Sequence, residues 1–318
     1  MSPISSSSSL RLGTRGSLLA RAQSEMIAEA LRRRHPGLRV ELAIRQTSGD
    51  RILDRPLYEF GGKGLFTKEL EQALLAGEID LAVHSLKDVP VTMPLVAQEN
   101  LVIAAVPPRE DPRDALVSSL HKRLMDLPAK ARVGTSSLRR QCQILALRPD
   151  LRIEPVRGNL DTRLRKQRDG EFDAIILAMA GLHRSGLYRP EEMTPLEYEQ
   201  VLPAAGQGAL ALQCRRDDPR TRELLSALHD PITALCVHAE RAVVAGLQGD
   251  CHSPIAALGI MHGDQFTLRA AVGAHGGVPP VLAARAIAPM SKPESAVASV
   301  LVELEKKGAR ELLARPVI

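Results

Sequence analysis

The chain has no tryptophan, three tyrosines and four phenylalanines in 318 residues. Proteins that hold single-stranded nucleic acid stack bases on aromatic faces, and so few rings leave little to stack on. The net charge of +5 at pH 7 therefore does not by itself indicate a nucleic-acid partner. Its basic residues are spread over several motifs and are not gathered in one tail or on one helix face. Four cysteines, at 142, 214, 236 and 251, show neither CxxC pairs nor the density of a disulfide framework, which fits free thiols in a reducing cytoplasm. No apolar run is long enough to span a bilayer. The start, MSPISSSSSL, has a serine tract but no basic region leading into an apolar one, so no secretory signal is expected.

What is present is a soluble composition, 44% hydrophobic and 25% charged, in a length that predicts two or three domains. Three signposts recur in the same order. LGTRGS (12–17) matches VGTSSL (133–138), HPGLRVE (35–41) matches RPDLRIE (148–154), and GEIDLAV (77–83) matches GEFDAII (170–176). The intervals differ, so this is a duplicated architecture and not a short solenoid repeat. Each copy reads strand, Gly-Thr turn, helix, proline stop, strand, then further helix and strand. In the first copy Leu18, Leu19, Ala22, Met26, Ile27 and Ala30 fall on a helical stripe, and Leu38, Val40, Leu42 and Ile44 alternate as a strand. In the second, Leu138, Cys142, Leu145 and Leu147 form a shorter stripe.

Strands alternating with helices predict an α/β fold of two lobes with mostly parallel sheets covered on both faces. Ligands of such lobes gather at the carboxyl ends of the strands. Two similar lobes facing each other would make a cleft with two helix N-termini aimed inward. AVPPREDPRD (105–114) and LPAAGQGAL (202–210) read as the crossings between lobes. From about 230 the signposts stop. ITALCVHAERAVVAGL reads as one amphipathic helix ending at the glycine-rich QGDCHSPIAALGI, followed by strand-like runs at 266–272 and 281–287 and a last helix near 293–307. That is a separate α+β domain.

GTSSLRRQ (134–141) is the most informative stretch. It sits where a strand gives way to a helix, so unsatisfied N–H groups and the positive end of the helix dipole meet there. Thr135, Ser136 and Ser137 add hydroxyls, and Arg139 and Arg140 add two permanent charges. That combination suits an anion with several oxygens, although one isolated segment reads equally well as a helix cap followed by solvated arginines. Asp88, in HSLKDVP (84–90), falls just past a strand and is the best acid–base candidate. Beside Lys87 and amid arginines it is expected to stay ionised, and the plainer reading is a surface Lys–Asp pair. GGKGLF (61–66) is a glycine loop carrying Lys63 without Walker spacing, so it is a phosphate cradle or a mobile lid rather than a nucleotide site. Arg157 and Arg184 follow strand-like runs and point to the same end as Arg15, whereas Arg165 and Lys166 read as solvated. So many cations predict a ligand with several acid groups. Cys251, in GDCHSP, is open to reading as nucleophile, metal ligand, attachment point or plain structural thiol. Asp250 beside it would oppose thiolate formation, and one Cys with one His does not make a metal site.

GTRGS, GGKGLF, AVHSLKDVP, REDPRDA, VGTSSLRRQ, RGN followed by TRL, DAIILAMAGL, PAAGQGAL, and AERA followed by a cysteine loop stand in the order found in the porphobilinogen deaminase (hydroxymethylbilane synthase) family. The chain resembles that family from Leu10 to its last helix. The resemblance implies two periplasmic-binding-protein-like lobes, residues 1–106 with 203–228 and residues 107–202, and a C-terminal α+β domain, residues 229–318. It implies a transferase that condenses four porphobilinogen molecules head to tail, releases ammonia at each step and yields a linear tetrapyrrole. The chain would grow on a dipyrromethane cofactor joined through a thioether to Cys251, with Asp88 as the catalytic carboxylate.

By motif position, Lys87, Ser17, Ser85, Arg139, Arg140, Thr135, Ser137 and Asp50 would contact the cofactor. Arg15, Arg157, Arg163, Arg184, Gln23, Lys63 and Phe66 would contact substrate, Phe66 by packing on a pyrrole ring. Loss of ammonia leaves an electrophilic azafulvenium, which Asp88 would stabilise, and the free α-carbon of the terminal cofactor ring would attack it. No metal is implied. A cytoplasmic monomer and a transient hand-off of product to uroporphyrinogen-III synthase are further expectations. Two departures stand out: Glu59 where many relatives have a lysine before the GGKG loop, and Gly249-Asp250-Cys251-His252-Ser253-Pro254 where Gly-Gly-Cys-x-Val-Pro is usual. The rival readings are a non-catalytic polycarboxylate-binding protein, which needs neither Asp88 nor Cys251, and a nucleic-acid or regulatory protein using the basic surface.

Overall fold

The computed structural model describes residues 9–47, 67–91, 99–250 and 252–314. The chain folds into two compact units, residues 1–109 with 209–234 and residues 110–208 with 235–318. Unit 1 begins with β1 (Ser9–Arg15), α1 (Leu18–Arg34), β2 (Arg39–Arg45), α2 (Lys68–Leu75), β3 (Leu81–Ser85), a one-turn 3-10 helix (Leu86–Asp88) and β4 (Leu101–Ala105). Unit 2 follows with β5 (Asp114–Val117), a 3-10 turn (Leu124–Asp126), β6 (Arg132–Gly134), α3 (Leu138–Leu147), β7 (Arg152–Glu154), α4 (Leu160–Arg168), β8 (Ala174–Ala178), α5 (Met179–Arg184) and β9 (Met193–Pro195). The chain returns to unit 1 with β10 (Leu210–Arg215) and α6 (Pro219–Ser226), and α7 (Pro231–Gly246) leads back. It closes with β11 (Ile255–His262), β12 (Gln265–Val272), β13 (Leu282–Pro289), α8 (Pro293–Lys306) and α9 (Ala309–Ala314).

The two large sheets share one plan. Their strand orders are β2-β1-β3-β10-β4 and β7-β6-β8-β5-β9. In the first, β1 runs parallel to β2 and β3, and β10 lies antiparallel to β3 and β4. In the second, β6 runs parallel to β7 and β8, and β5 lies antiparallel to β8 and β9. So in each sheet one strand is reversed, and it is the strand whose chain has just arrived from the other unit.

The repeated signposts explain why the plan recurs. Arg11 N–H donates to the Asp80 carboxylate at 2.8 Å and Arg132 N–H to Asp173 at 2.6 Å, while the two guanidinium groups reach Gly77 O and Gly170 O. The glycine of each Gly-Thr turn is a close approach: a Cβ on Gly13 would lie 2.3 Å from Ile79 Cδ1, and one on Gly134 would lie 2.8 Å from Ile175 Cγ2. The caps are offset by one residue, with Ser17 accepting from Ala20 N and Ser137 from Arg140 N. The first turn is therefore one residue longer after its threonine.

The apolar stripe expected on α1 is shifted. The buried face is Gln23, Ser24, Ile27, Ala28 and Leu31, and Leu18 and Met26 are exposed. Small residues at 24 and 28 let the helix lie close to the sheet, and a core made with Leu10, Leu12, Val40 and Leu81 fills around them. The third sheet, β11-β12-β13, is antiparallel throughout. Its strand β11 occupies a stretch that reads as a glycine-rich loop. Gly259, at the centre of that strand, is dictated by contact, since a Cβ there would lie 2.7 Å from Phe266 Cε2. α8 packs on β12 and β13.

Candidate functional site

In unit 1 the candidate residues sit at the carboxyl ends of two neighbouring parallel strands. β1 ends at Arg15 and β3 at Ser85. After Arg15 the chain turns through Gly16 to Ser17, whose hydroxyl caps α1, and buried Thr14 donates to Ala20 O at 3.1 Å. Gln23 on the first turns of α1 is buried and donates to the Ser85 hydroxyl at 3.2 Å, joining the helix to the end of β3. Past Ser85, Lys87 and Asp88 lie half-exposed in the 3-10 turn. Leu86 N–H on Ala209 O at 3.0 Å and Val89 N–H on Leu86 O at 3.1 Å hold that turn. The Asp88 carboxylate is thus carried on backbone fixed at both sides.

Four residues before Asp88, at His84 on β3, begins a buried polar chain that sequence patterning does not single out. His84 Nε2 is 2.9 Å from Gln213 Oε1, and Gln213 Nε2 donates to Glu71 Oε1 at 3.1 Å. Burial pushes the His84 imidazole down to about 4, with the Gln213 contact opposing and the nearby Arg15 charge adding to the shift.

In unit 2 the GTSSLRRQ stretch forms the expected strand-to-helix junction. Thr135 N–H donates to Glu154 O at 2.9 Å, Ser137 N–H to the Thr135 hydroxyl at 3.2 Å, and Ser136 donates to Val156 O at 2.9 Å. The arginines, however, turn inward: Arg139 and Arg140 are 5% and 7% exposed. Arg140 donates from Nε and Nη2 to Asp114 Oδ1 at 3.1 and 2.6 Å and from Nη1 to Ile176 O at 2.9 Å. Arg139 Nη2 lies 2.9 Å from Asp114 Oδ2, and its Nη1 donates to Leu202 O at 2.6 Å. Burial pulls the Arg139 pKa below its ordinary value, and the Asp114 charge opposes this. Asp114 itself has no exposed surface and also receives Gln207 Nε2 at 2.9 Å.

The other candidate arginines of unit 2, at 157, 163 and 184, are half-buried. Arg157 follows β7, Arg163 Nε on α4 donates to Gly158 O at 2.8 Å, and Arg184 Nη2 donates to Gly208 O at 2.8 Å. Burial lowers Arg184 to about 10 against the pull of Glu110, so it keeps its charge near neutrality. Cys142, Cys214 and Cys236 are buried, and burial raises the Cys142 and Cys214 thiols to about 11, which makes those two inert.

Cys251, Asp50, Lys63, Phe66 and Glu59 lie outside the described residues. In the cysteine loop, the Asp250 carboxylate accepts His252 N–H, Ser253 N–H and the Ser253 hydroxyl, each at 2.9 Å. Burial raises its pKa, but the Ser253 and His252 contacts outweigh this and hold it below the usual carboxylate range. The departure at Asp250 thus supplies a side-chain brace for the turn. No group of three or more His, Cys, Asp or Glu suited to a metal occurs among the described residues. Sequence reasoning does not reach Asp114 and Gln207, although REDPRDA and PAAGQGAL contain them. A short polar segment gives no sign that its carboxylate faces arginines 25 residues onward.

Residues 10–223 match the family model described as "Porphobilinogen deaminase, dipyromethane cofactor binding domain", and residues 234–306 match "Porphobilinogen deaminase, C-terminal domain". A porphobilinogen deaminase of Syntrophobacter fumaroxidans is 49% identical over 304 residues, spanning 96% of each chain. Among solved structures, the reduced regulatory domain of OxyR from Pseudomonas aeruginosa matches with a TM-score of 0.41 and 15% identity over 70% of this chain and 96% of that one. The effector-binding domain of BenM with benzoate also gives a TM-score of 0.41 and 15% identity, over 70% and 90%.

Proposed function

The chain belongs to the porphobilinogen deaminase family, and from that premise we propose how its own residues carry the reaction. The protein is a transferase that condenses porphobilinogen stepwise, with release of ammonia, to a linear tetrapyrrole. The 49% identity over 96% of both chains is the observation that carries this conclusion.

The donor set fits a dipyrromethane group, whose rings each bear two carboxylates. Such a ligand needs several hydroxyl and cationic donors, and the motif residues at the strand ends and helix N-termini are of that chemistry. When bound, the group supplies the pyrrole carbon on which the product chain grows. We assign its attachment to Cys251. Ser17, Ser85 and Lys87 of unit 1 and Thr135, Ser137, Arg139 and Arg140 of unit 2 bind its acid groups, together with Asp50. Arg15, Gln23, Arg157, Arg163, Arg184, Lys63 and Phe66 serve the incoming substrate.

Asp88 accepts pyrrole N–H groups and balances the positive charge that develops on the substrate as its amine departs. The aminomethyl group is already protonated near neutrality and leaves as ammonia, so the ionised carboxylate has no proton to give and can instead take the one released from the attacked pyrrole carbon. The rigid turn that carries Asp88 supports this role, because a carboxylate already in place needs no reorganisation when charge develops. We assign residues 229–318 as the C-terminal domain that carries the attachment segment.

No helix among the described residues is long and apolar enough to cross a membrane. A cytoplasmic monomer that passes its product to uroporphyrinogen-III synthase completes the proposal.

Intact mass under denaturing conditions, with peptide mapping, tests the assignment. One dipyrromethane is expected on the peptide containing Cys251, and Cys251→Ser is expected to lack both the adduct and turnover. Retained turnover without Cys251 would sink the attachment assignment, and no turnover of porphobilinogen by the wild-type chain would leave only a polycarboxylate-binding protein.

A further inference from the structure

Asp114 opens β5 and is held there by the ladder to β8, where it pairs with Ala178, and by its own carbonyl accepting Leu196 N–H at 2.8 Å. Its side chain therefore has little freedom to move. One carboxylate faces two buried guanidinium groups, so these three side chains carry two positive charges against one negative. In a low-dielectric surrounding that imbalance is costly alone and favours the arrival of a further anion. Each arginine fork is also fixed at a second point, Arg139 on Leu202 O and Arg140 on Ile176 O.

Gln207 completes the arrangement. It is fully buried, and its amide donates to Pro112 O at 2.7 Å and to Asp114 Oδ1 at 2.9 Å. It sits between Gly206 and Gly208, both with left-handed backbone at φ 74° and 86°. A Cβ at 208 would lie 2.4 Å from Glu110 O, so the turn reaches this depth only with glycine there. The turn is anchored in its own right: Gly206 N–H donates to buried Glu240 at 2.7 Å, and the other oxygen of Glu240 takes Gly259 N–H of β11 at 2.8 Å. The residues that set Asp114 are thus tied to α7 and β11, which flank the cysteine loop in sequence.

We propose that Asp114, pressed into place by Gln207, is a positioning residue that holds Arg139 and Arg140 in the orientation from which they bind the acid groups of dipyrromethane. This rests on the reading above that those arginines bind those groups. Asp114 acts through the arginines and touches no ligand itself. It fixes where two guanidinium groups stand before the ligand arrives, so that their ordering is not repeated with each binding event.

The test compares wild type with D114N, Q207L, R139K and R140K. Intact mass follows the rate at which cofactor-free chain acquires dipyrromethane on incubation with porphobilinogen, and KM and kcat are measured on the loaded fraction. Folded D114N is expected to acquire the group about ten- to a hundred-fold more slowly, the factor for misdirecting one charge-assisted hydrogen bond. KM should rise more than kcat falls. Q207L should move the same quantities in the same direction by less. A folded D114N that loads and turns over like wild type, with only a lower unfolding midpoint, makes Asp114 a structural counter-ion and overturns the proposal. Should D114N not fold, wild-type loading by Q207L overturns it in the same way. Wild-type loading by both R139K and R140K removes its premise instead, which tells failure of the arginine assignment from failure of the positioning role.

Discussion

Asp88 reaches its place through short-range structure alone: β3 ends at Ser85, a single 3-10 turn follows, and the carboxylate stands on the last residue of that turn. The turn is held by backbone hydrogen bonds and by buried Leu86 and Val89 on either side, not by the half-exposed carboxylate. Asp88→Asn should therefore lower kcat by roughly 10²- to 10⁴-fold, the usual worth of a positioned acid–base group, and leave the unfolding midpoint unchanged. Steady-state kinetics beside thermal unfolding checks both halves, and a parallel loss of stability would mean the carboxylate holds the turn. HSLKDVP identifies this residue because a carboxylate just past an apolar strand is a local pattern. GTSSLRRQ is half legible for the complementary reason: the junction and its hydroxyls are local, but the burial of Arg139 and Arg140 depends on Asp114, which pairing of β5 with β8 delivers. On hydropathy alone an arginine reads as exposed, and only the counter-ion reverses that.

At the scale of elements, the duplication shows which signposts matter and why. Gly13 on β1 and Gly134 on β6 are each required by what presses on the strand that opens each repeat, Ile79 in one case and Ile175 with Phe172 in the other. Gly13→Ala should destabilise the protein by about 1–3 kcal/mol through overpacking. The same change in an Ile79→Val background, where the Cδ1 atom 2.3 Å from the new methyl is gone, should cost clearly less. Urea unfolding of the four proteins of that double-mutant cycle measures the coupling, and strict additivity would show that the glycine is needed for something other than this contact. The repeat, the strand-to-helix order and the final helix are readable because each is written in local periodicity and turn residues. The α1 stripe misleads because its buried face is small and polar, with Gln23 and Ser24 inside and Leu18 outside. β11 escapes because Gly259 breaks the alternation that marks a strand, and its reason, Phe266 on the neighbouring strand, lies across a hairpin.

Over the whole molecule, charge is held in two tiers that separate on the pH scale. Asp80, Asp111 and Asp218 are raised by burial, but Arg11, Arg113 and the Thr221–Arg215 contacts respectively outweigh this, so all three titrate below their ordinary value of 3.8. The stability they contribute is complete above the unfolded value and lost only as pH falls below about 4. His84 acts earlier. Its folded pKa of about 4 lies below the unfolded 6.5, so between those values the unfolded chain takes up a proton that the folded chain refuses. Its contribution is complete above 6.5 and drains away as pH drops towards 4, by about 3 kcal/mol in all. Urea unfolding across the pH range should accordingly show a first loss of stability below 6.5 and a second, steeper one below 4. His84→Gln, which keeps a polar group facing Gln213 without a titrating ring, should abolish the first loss and leave the second. If His84→Gln retains the slope between 6.5 and 4, the proton is taken up elsewhere. The buried imidazole would then be only a packing element of β3.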